Sequence, residues 1–241
     1  MRMCSRYFLD AEGNIIAYTF RVPATPERIR KRFNIAPTQE APVVRVDREG
    51  NREIAMLRWG LVPFWAKDLK VGTSMINARS EGIEAKPAFR EAVKSRRCIV
   101  PATGFFEWQG ERPGRKQPFA ITVPGMPLFA FAGLWERWKP PGGAPNGDGV
   151  EHGEPVETFT IVTADANEAV ARVHDRMPVI LPLDAVDTWL TGPPDAARAL
   201  LKPYAGRVDL RAVGTYVGNV NNEGPECLED ARPDPQQQSL L

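Results

Sequence analysis

The chain has 241 residues, 43% of them hydrophobic, and its 31 Lys and Arg against 30 Asp and Glu give a formal charge of +1. That content buries a sizeable core and excludes a disordered chain, while the balanced charge leaves any polyanion contact to a local basic surface rather than to a whole-protein field. Three cysteines, at 4, 98 and 227, form no CxxC pair and fit a reducing compartment; two histidines, His152 and His174, are too few for a zinc or iron site.

Cys4 directly follows Met3 in Met1-Arg2-Met3-Cys4-Ser5-Arg6. If translation begins at Met3 and that methionine is removed, Cys4 presents a free α-amine and a thiol on one residue, a 1,2-aminothiol. Such a group condenses with an aldehyde to an imine and closes through sulfur to a thiazolidine. The amine titrates near ~7.7–8.0 and the thiol near ~8.5, so both have usable deprotonated fractions at neutral pH. The plain alternative is a small buried apolar residue. Asp10, Glu12 and Asn14 interrupt any early hydrophobic run, so no secretory signal is visible. The longest apolar stretch, 127–135, falls far below the roughly 20 residues that cross a bilayer, and a soluble, cytoplasmic protein is expected.

Thr25, Pro26 and Glu27 supply a cap, a first-turn proline and a first-turn acid, predicting a helix over 25–32. Strands at 43–46 and 54–59 flank the turn Asp47-Arg48-Glu49-Gly50-Asn51 and predict a hairpin. Phe89, Ala92 and Val93 predict a helix over 87–95. Strands follow at 98–100, 104–108, 119–123, 128–134 and 158–163, so β structure dominates the centre. The Pro- and Gly-rich stretch 139–155, which holds His152, reads as an exposed loop. Asp165 and Glu168 have capping-box spacing and predict a helix to about residue 173, with two short helices at 184–190 and 195–201. Residues 230–241 read as a frayed tail behind one domain, 1–229.

Several polar groups could carry chemistry. In Gly104-Phe105-Phe106-Glu107-Trp108-Gln109 the strand period puts Phe105 and Glu107 on one face and Phe106 and Trp108 on the other. A carboxyl among aromatics has its pKa raised by desolvation, which suits proton donation and acceptance, unless the strand is an edge and Glu107 points into water. His174 follows a predicted helix, where a side chain can reach a cleft. Asn77, in Asn77-Ala78-Arg79-Ser80-Glu81, is a polar group following the apolar Met75-Ile76; the alternative is a helix cap, Asn77 or Ser80, before the next helix. Phe64 and Trp65, beside Pro63 and Lys67, are core plugs or platforms for bases of single-stranded nucleic acid. Arg6, Arg79 and Arg176 each lie two residues after Cys4, Asn77 and His174, so three cations could line one pocket and meet a phosphodiester backbone.

Taken together these stretches resemble the SOS response-associated peptidase (SRAP) family, whose members crosslink covalently to abasic sites in single-stranded DNA. The likeness is carried by Cys4-Ser5-Arg6-Tyr7, Asn34-Ile35-Ala36-Pro37, Trp59-Gly60-Leu61-Val62-Pro63, Ile76-Asn77-Ala78-Arg79-Ser80-Glu81 and Gly104-Phe105-Phe106-Glu107-Trp108. It continues through Ile161-Val162-Thr163-Ala164, His174-Asp175-Arg176-Met177-Pro178 and Val217-Gly218-Asn219-Val220-Asn221-Asn222. The resemblance implies an α+β fold, a single domain on a curved, barrel-like, mostly antiparallel sheet with peripheral helices. It implies that Cys4 forms the thiazolidine, Glu107 and His174 move protons, and Asn77 holds the amine or sugar. It further implies an aromatic wedge of Phe64 and Trp65, phosphate contacts from Arg6, Arg79 and Arg176, a pocket wall of Asn34 and Pro37, and support from Thr163. The expected partner is single-stranded DNA with abasic sites, bound by a monomer with no cofactor, metal or membrane. Two departures stand out: Met1-Arg2 precede Met3-Cys4, and Ser5 replaces the glycine usual after the cysteine. The competing readings are a cysteine peptidase using Cys4, His174 and Glu107, and a noncatalytic single-strand binding module.

Overall fold

The computed structural model describes residues 4–24, 29–110, 116–141 and 154–231. In chain order its elements are β1 (Tyr7–Leu9), α1 (Gly13–Phe20), β2 (Arg32–Ile35), β3 (Glu40–Val46), β4 (Arg52–Trp59), β5 (Asn77–Arg79) and α2 (Ala92–Ser95). Next come β6 (Arg97–Ala102), β7 (Gly104–Gln109), β8 (Gln117–Thr122), β9 (Phe129–Trp138) and β10 (Val156–Asp165). The chain continues with β11 (Arg176–Pro178), β12 (Ile180–Leu181), α3 (Val186–Thr191), α4 (Pro194–Ala199) and β13 (Asp209–Ala212).

The predicted hairpin forms as β3 and β4. Asp47 makes its turn, the Oδ1 accepting from the backbone N–H groups of Glu49 and Asn51, and Gly50 supplies the positive φ of 89°. β3 also pairs with β6, β6 with β9 and β9 with β10, all antiparallel. β10 then pairs in parallel with β4 through Thr158 to Arg58 and Phe159 to Trp59, which closes a ring of β3, β4, β10, β9 and β6. Closure removes the free edges from this barrel. A second antiparallel sheet, in the order β13, β8, β7, β1, β2, lies against it. Trp59, Phe105, Phe131, Phe159 and Tyr7 are buried between them, Tyr7 meeting Trp59 edge-on at 5.3 Å and Phe131 at 6.0 Å. Each such ring contributes about 1.5–3 kcal/mol by leaving water. The α+β, barrel-like, mostly antiparallel architecture is the one the resemblance implies.

Two glycines let backbones meet. Gly60 (φ 126°) and Gly72 pack so closely that a Cβ on Gly60 would stand 2.6 Å from the Gly72 carbonyl oxygen. At Gly104, opposite Phe8 in the β1–β7 pairing, a Cβ would stand 2.1 Å from the Phe8 ring and 2.7 Å from the Ile121 carbonyl oxygen.

The helices depart most from expectation. Residues 25–28 lie outside the described residues, but residues 29–31 are irregular and Arg32 opens β2, where pairing of Ile35 with Tyr7 overrides the local helix signal. The unforeseen helix α1 buries Ile16, Ala17 and Phe20 at helical spacing and stops at Arg21, whose φ of 54° is left-handed. Asp165 caps nothing: it is the last residue of β10, and Asn167 instead accepts from the Val170 N–H to start a single 3-10 turn, Val170–Arg172. The helix expected over 87–95 shortens to α2, while α3 and α4 fall where helices were expected. Of the exposed loop, residues 142–153 and with them His152 lie outside the described residues, as do residues 232–241 of the tail. Among the described residues no helix is long and apolar enough to cross a membrane.

Candidate active site around Cys4 and Glu107

β7 is interior to its sheet, between β8 and β1, and this decides the fate of its carboxylate. Phe105 turns into the main core, while Phe106 joins Phe8, Val213, Val217 and Cys227 in a second apolar cluster against which Trp108 packs. Glu107 is 2% exposed, so the water-facing alternative fails. The main-chain N–H groups of Cys4 and Trp108 favour its charged form, and its Oε1 is buried with no hydrogen-bond partner among the described residues. Burial raises its pKa to about 8; the Asp175 charge adds to the rise, and the Cys4 N–H and Lys116 oppose it. At neutral pH the carboxyl therefore carries its proton most of the time.

Cys4 is buried, and its carbonyl accepts from Asn77 Nδ2 at 3.1 Å. Burial, then the nearby Glu107 charge, push its thiol well above the ordinary range, against the Arg6 N–H that favours the thiolate. Asn77 is no helix cap. It sits in β5, which lies in parallel register on β10 with Asn77 opposite Ile161 and Arg79 opposite Thr163. Thr163 is fully buried, and its carbonyl accepts from the Ser80 N–H at 2.8 Å.

His174 is buried just before β11, and burial lowers its pKa although the Asp175 carboxylate pulls the other way. Its Nδ1 lies 3.0 Å from the Arg176 N–H and 2.9 Å from Asp175 Oδ1. The two contacts demand opposite protonation at Nδ1. Asp175 is solvent-exposed and screened, and the ring is held toward neutrality, so the amide bond prevails: Nδ1 accepts and the ring hydrogen sits on Nε2.

The three arginines are placed differently. Arg79 is exposed. Arg176 is clamped by Glu81 on both carboxylate oxygens, at 2.9 and 2.8 Å, by Asp165, and by the Thr163 carbonyl at 2.9 Å. Its charge is met within the protein, and Glu81 is held down to about 2 by the Arg176 hydrogen bonds. Arg6 turns inward: Nη1 donates to Asn34 Oδ1 at 2.9 Å and to the Val217 carbonyl at 2.8 Å, and the guanidinium lies 5.7 Å from the Trp108 ring centre. Asn34 is fully buried and donates to the carbonyls of Asn219 and Asn222 at 2.9 and 2.8 Å; Pro37 nearby in the chain is half-buried.

Phe64 and Trp65 are 61% and 51% exposed. Their loop is nonetheless fixed, because Val62, Ala66 and Leu69 pack with Trp138, whose Nε1 donates to the Ala66 carbonyl at 2.7 Å. This fold leaves them outside the core as a paired aromatic surface. Lys116 and Asp175 were not singled out from the sequence, yet both bias Glu107 and His174. Nothing local marks Lys116, which precedes β8. Asp175 stood in view within the His174 motif.

The chain matches the SOS response associated peptidase (SRAP) family model over residues 3–220. It is 40% identical over 233 residues to the Bacillus subtilis (strain 168) "Abasic site processing protein YoqW", covering 94% of this chain and 99% of that one. It is 35% identical over 234 residues to the Gallus gallus "Abasic site processing protein HMCES", covering 83% of this chain and 66% of that one. A crystal structure of a Bacteroides thetaiotaomicron protein superposes with a TM-score of 0.77 at 27% identity, covering 95% of this chain and 100% of that one. The chain belongs to the SRAP family.

Proposed function

We propose that this SRAP-family chain is an abasic site processing protein that captures the ring-opened abasic sugar of single-stranded DNA as a thiazolidine on Cys4. The observation that carries the reading is the buried Glu107 carboxyl beside the Cys4 main-chain N–H, with its pKa raised to about 8. Once the residues ahead of Cys4 are removed, that nitrogen is the α-amine, already beside a group able to give and take a proton.

The steps then balance. Protonated Glu107 donates to the sugar ring oxygen as the C1–O bond breaks, and the resulting carboxylate takes the C1 hydroxyl proton to leave the aldehyde. The re-protonated carboxyl then gives its proton to the carbonyl oxygen while taking one from the attacking amine. The amine adds to the aldehyde carbon, and water leaves from the carbinolamine to give the imine. The thiol adds across the C=N bond, sulfur to carbon and proton to nitrogen, closing the ring with one water lost overall. Neutral His174, with its hydrogen on Nε2, serves as a donor around the imine, and Asn77 fixes Cys4 through its carbonyl. Phe64 and Trp65 stack beside the lesion, Arg79 meets phosphate, Pro37 borders the pocket, and buried Thr163 backs β5.

The test uses protein beginning at Met3, protein beginning at Met1 and left unprocessed, and single-stranded DNA with one abasic site. A denaturing gel is expected to show adduct only where Cys4 carries the free amine. Adduct from unprocessed protein, or none from either form, rejects the reading.

A further inference from the structure

The side chain of Arg6, two residues beyond Cys4, makes its contacts inward rather than toward solvent. One nitrogen, Nη1, donates both to Asn34 Oδ1 at 2.9 Å and to the Val217 carbonyl at 2.8 Å, and the guanidinium rests near the Trp108 ring. The Arg6 carbonyl accepts from the Phe106 N–H at 3.0 Å. Asn34, fully buried, completes the clamp by donating to the carbonyls of Val217, Asn219 and Asn222 at 3.3, 2.9 and 2.8 Å. One cation thus ties the stretch entering β1 to β2, to β7 and to the 217–222 segment. Turning the guanidinium outward to a phosphate would strip the buried Asn34 oxygen and the Val217 carbonyl of their donor.

We propose that Arg6 is a positioning residue, which through its clamp on Asn34 and the 217–222 segment fixes where Cys4 presents its nitrogen and sulfur. This rests on the crosslinking reading above. Cys4 is held at its carbonyl by Asn77, with Glu107 beside its main-chain nitrogen, and with Arg6 released the Ser5-Arg6 backbone swings about that anchor. Misplacement on the scale of 1 Å is enough to cost a reaction about 100-fold.

Single-turnover crosslinking to abasic single-stranded DNA, by full-length protein matured to Cys4, separates positioning from phosphate contact. Arg6→Ala is expected to lower the rate at saturating DNA by about ten-fold or more, leaving the half-saturating DNA concentration and its salt dependence unchanged. Asn34→Ala, whose site is closed to DNA, is expected to match it, and the double variant to be no slower than either. Arg6→Lys keeps the charge but loses the planar fork, so it is expected to stay slow; it keeps the test open if an alanine variant fails to fold. The proposal is overturned if Arg6→Ala retains the saturating rate, weakens binding about ten-fold and flattens the salt slope by ~0.7, with Arg6→Lys restoring both. A second readout needs no DNA: alkylation of Cys4 by iodoacetamide, followed by peptide mass mapping, is expected to speed up about ten-fold or more in Arg6→Ala and Asn34→Ala. Unchanged alkylation overturns the clamp. If wild-type protein forms no adduct, the crosslinking reading falls and alkylation alone decides the role of Arg6.

Discussion

Around Cys4 the protein buries what proteins usually leave wet, and on the 61–66 loop it leaves wet what they usually bury. Glu107 is enclosed with an oxygen unpartnered among the described residues, while Phe64 and Trp65 stand in solvent on a loop pinned by Val62, Ala66 and Trp138. Both inversions cost stability, and both are held by packed neighbours rather than by their own contacts. The difference lies in what each would offer a ligand. The buried carboxyl offers a tuned proton, and the exposed rings offer stacking area without reorganisation.

The sharpest break of this comparison is Cys4→Ala, which is expected to abolish abasic-site adduct on a denaturing gel while leaving noncovalent single-strand binding intact. Residual adduct would move the chemistry to another residue. Glu107→Gln comes next, with the single-turnover rate expected to fall about 10²- to 10⁴-fold. The wild-type rate should also fall as pH rises through about 8, where the carboxyl loses its proton, and a rate that keeps climbing there would deny Glu107 its donor role.

Stability carries the same signature. The folded-state pKa of Glu107 is raised, so its contribution is fully present below its ordinary value near 4.5 and is lost as pH rises toward about 8. Wild type should therefore lose on the order of 4 kcal/mol relative to Glu107→Gln across that window, measured by urea unfolding. A flat difference would mean that water reaches the carboxyl. On the aromatic side, Phe64→Ala and Trp65→Ala are each expected to weaken single-strand binding by about 1–3 kcal/mol, with unfolding free energy moved by under ~0.5 kcal/mol. Fluorescence titration and thermal melting separate the two; lost stability with unchanged binding would make the rings scaffold.

The smallest effect is expected at Glu81. Arg176 holds its carboxyl down to about 2, so it contributes stability above its ordinary pKa that is lost as pH falls from about 4.5 to about 2. Glu81→Gln should flatten that acid limb by only ~0.5 kcal/mol, because the carboxylate is more than half exposed and screened. A flattening of several kcal/mol would show the clamp to be dry.

What the sequence made legible follows from how local each signal was. The β3–β4 hairpin was readable because Asp47 and Gly50 make the turn within their own stretch. The burial of Glu107 was suspected from its aromatic neighbours and needed only the position of β7 inside its sheet to be decided. Asp165 misled because its capping pattern is local, whereas its partner Arg176 comes from the next strand. The clamp of Asn34 on Val217 joins residues 183 positions apart and leaves no trace in either stretch alone. The arginines at 6 and 176 were visible as cations, but their acceptors were not.

Gly104 carries a consequence for variation in this fold. It carries no reactive group, yet the Phe8 ring of β1 lies where its methyl would be. An alanine there would drive into the Phe8 ring and the Ile121 carbonyl of β8, and displacing Phe8 would shift the strand that follows Cys4 with every candidate side chain still present. The tolerance of the reaction to change is thus set in part by one hydrogen atom at a position with no chemistry of its own.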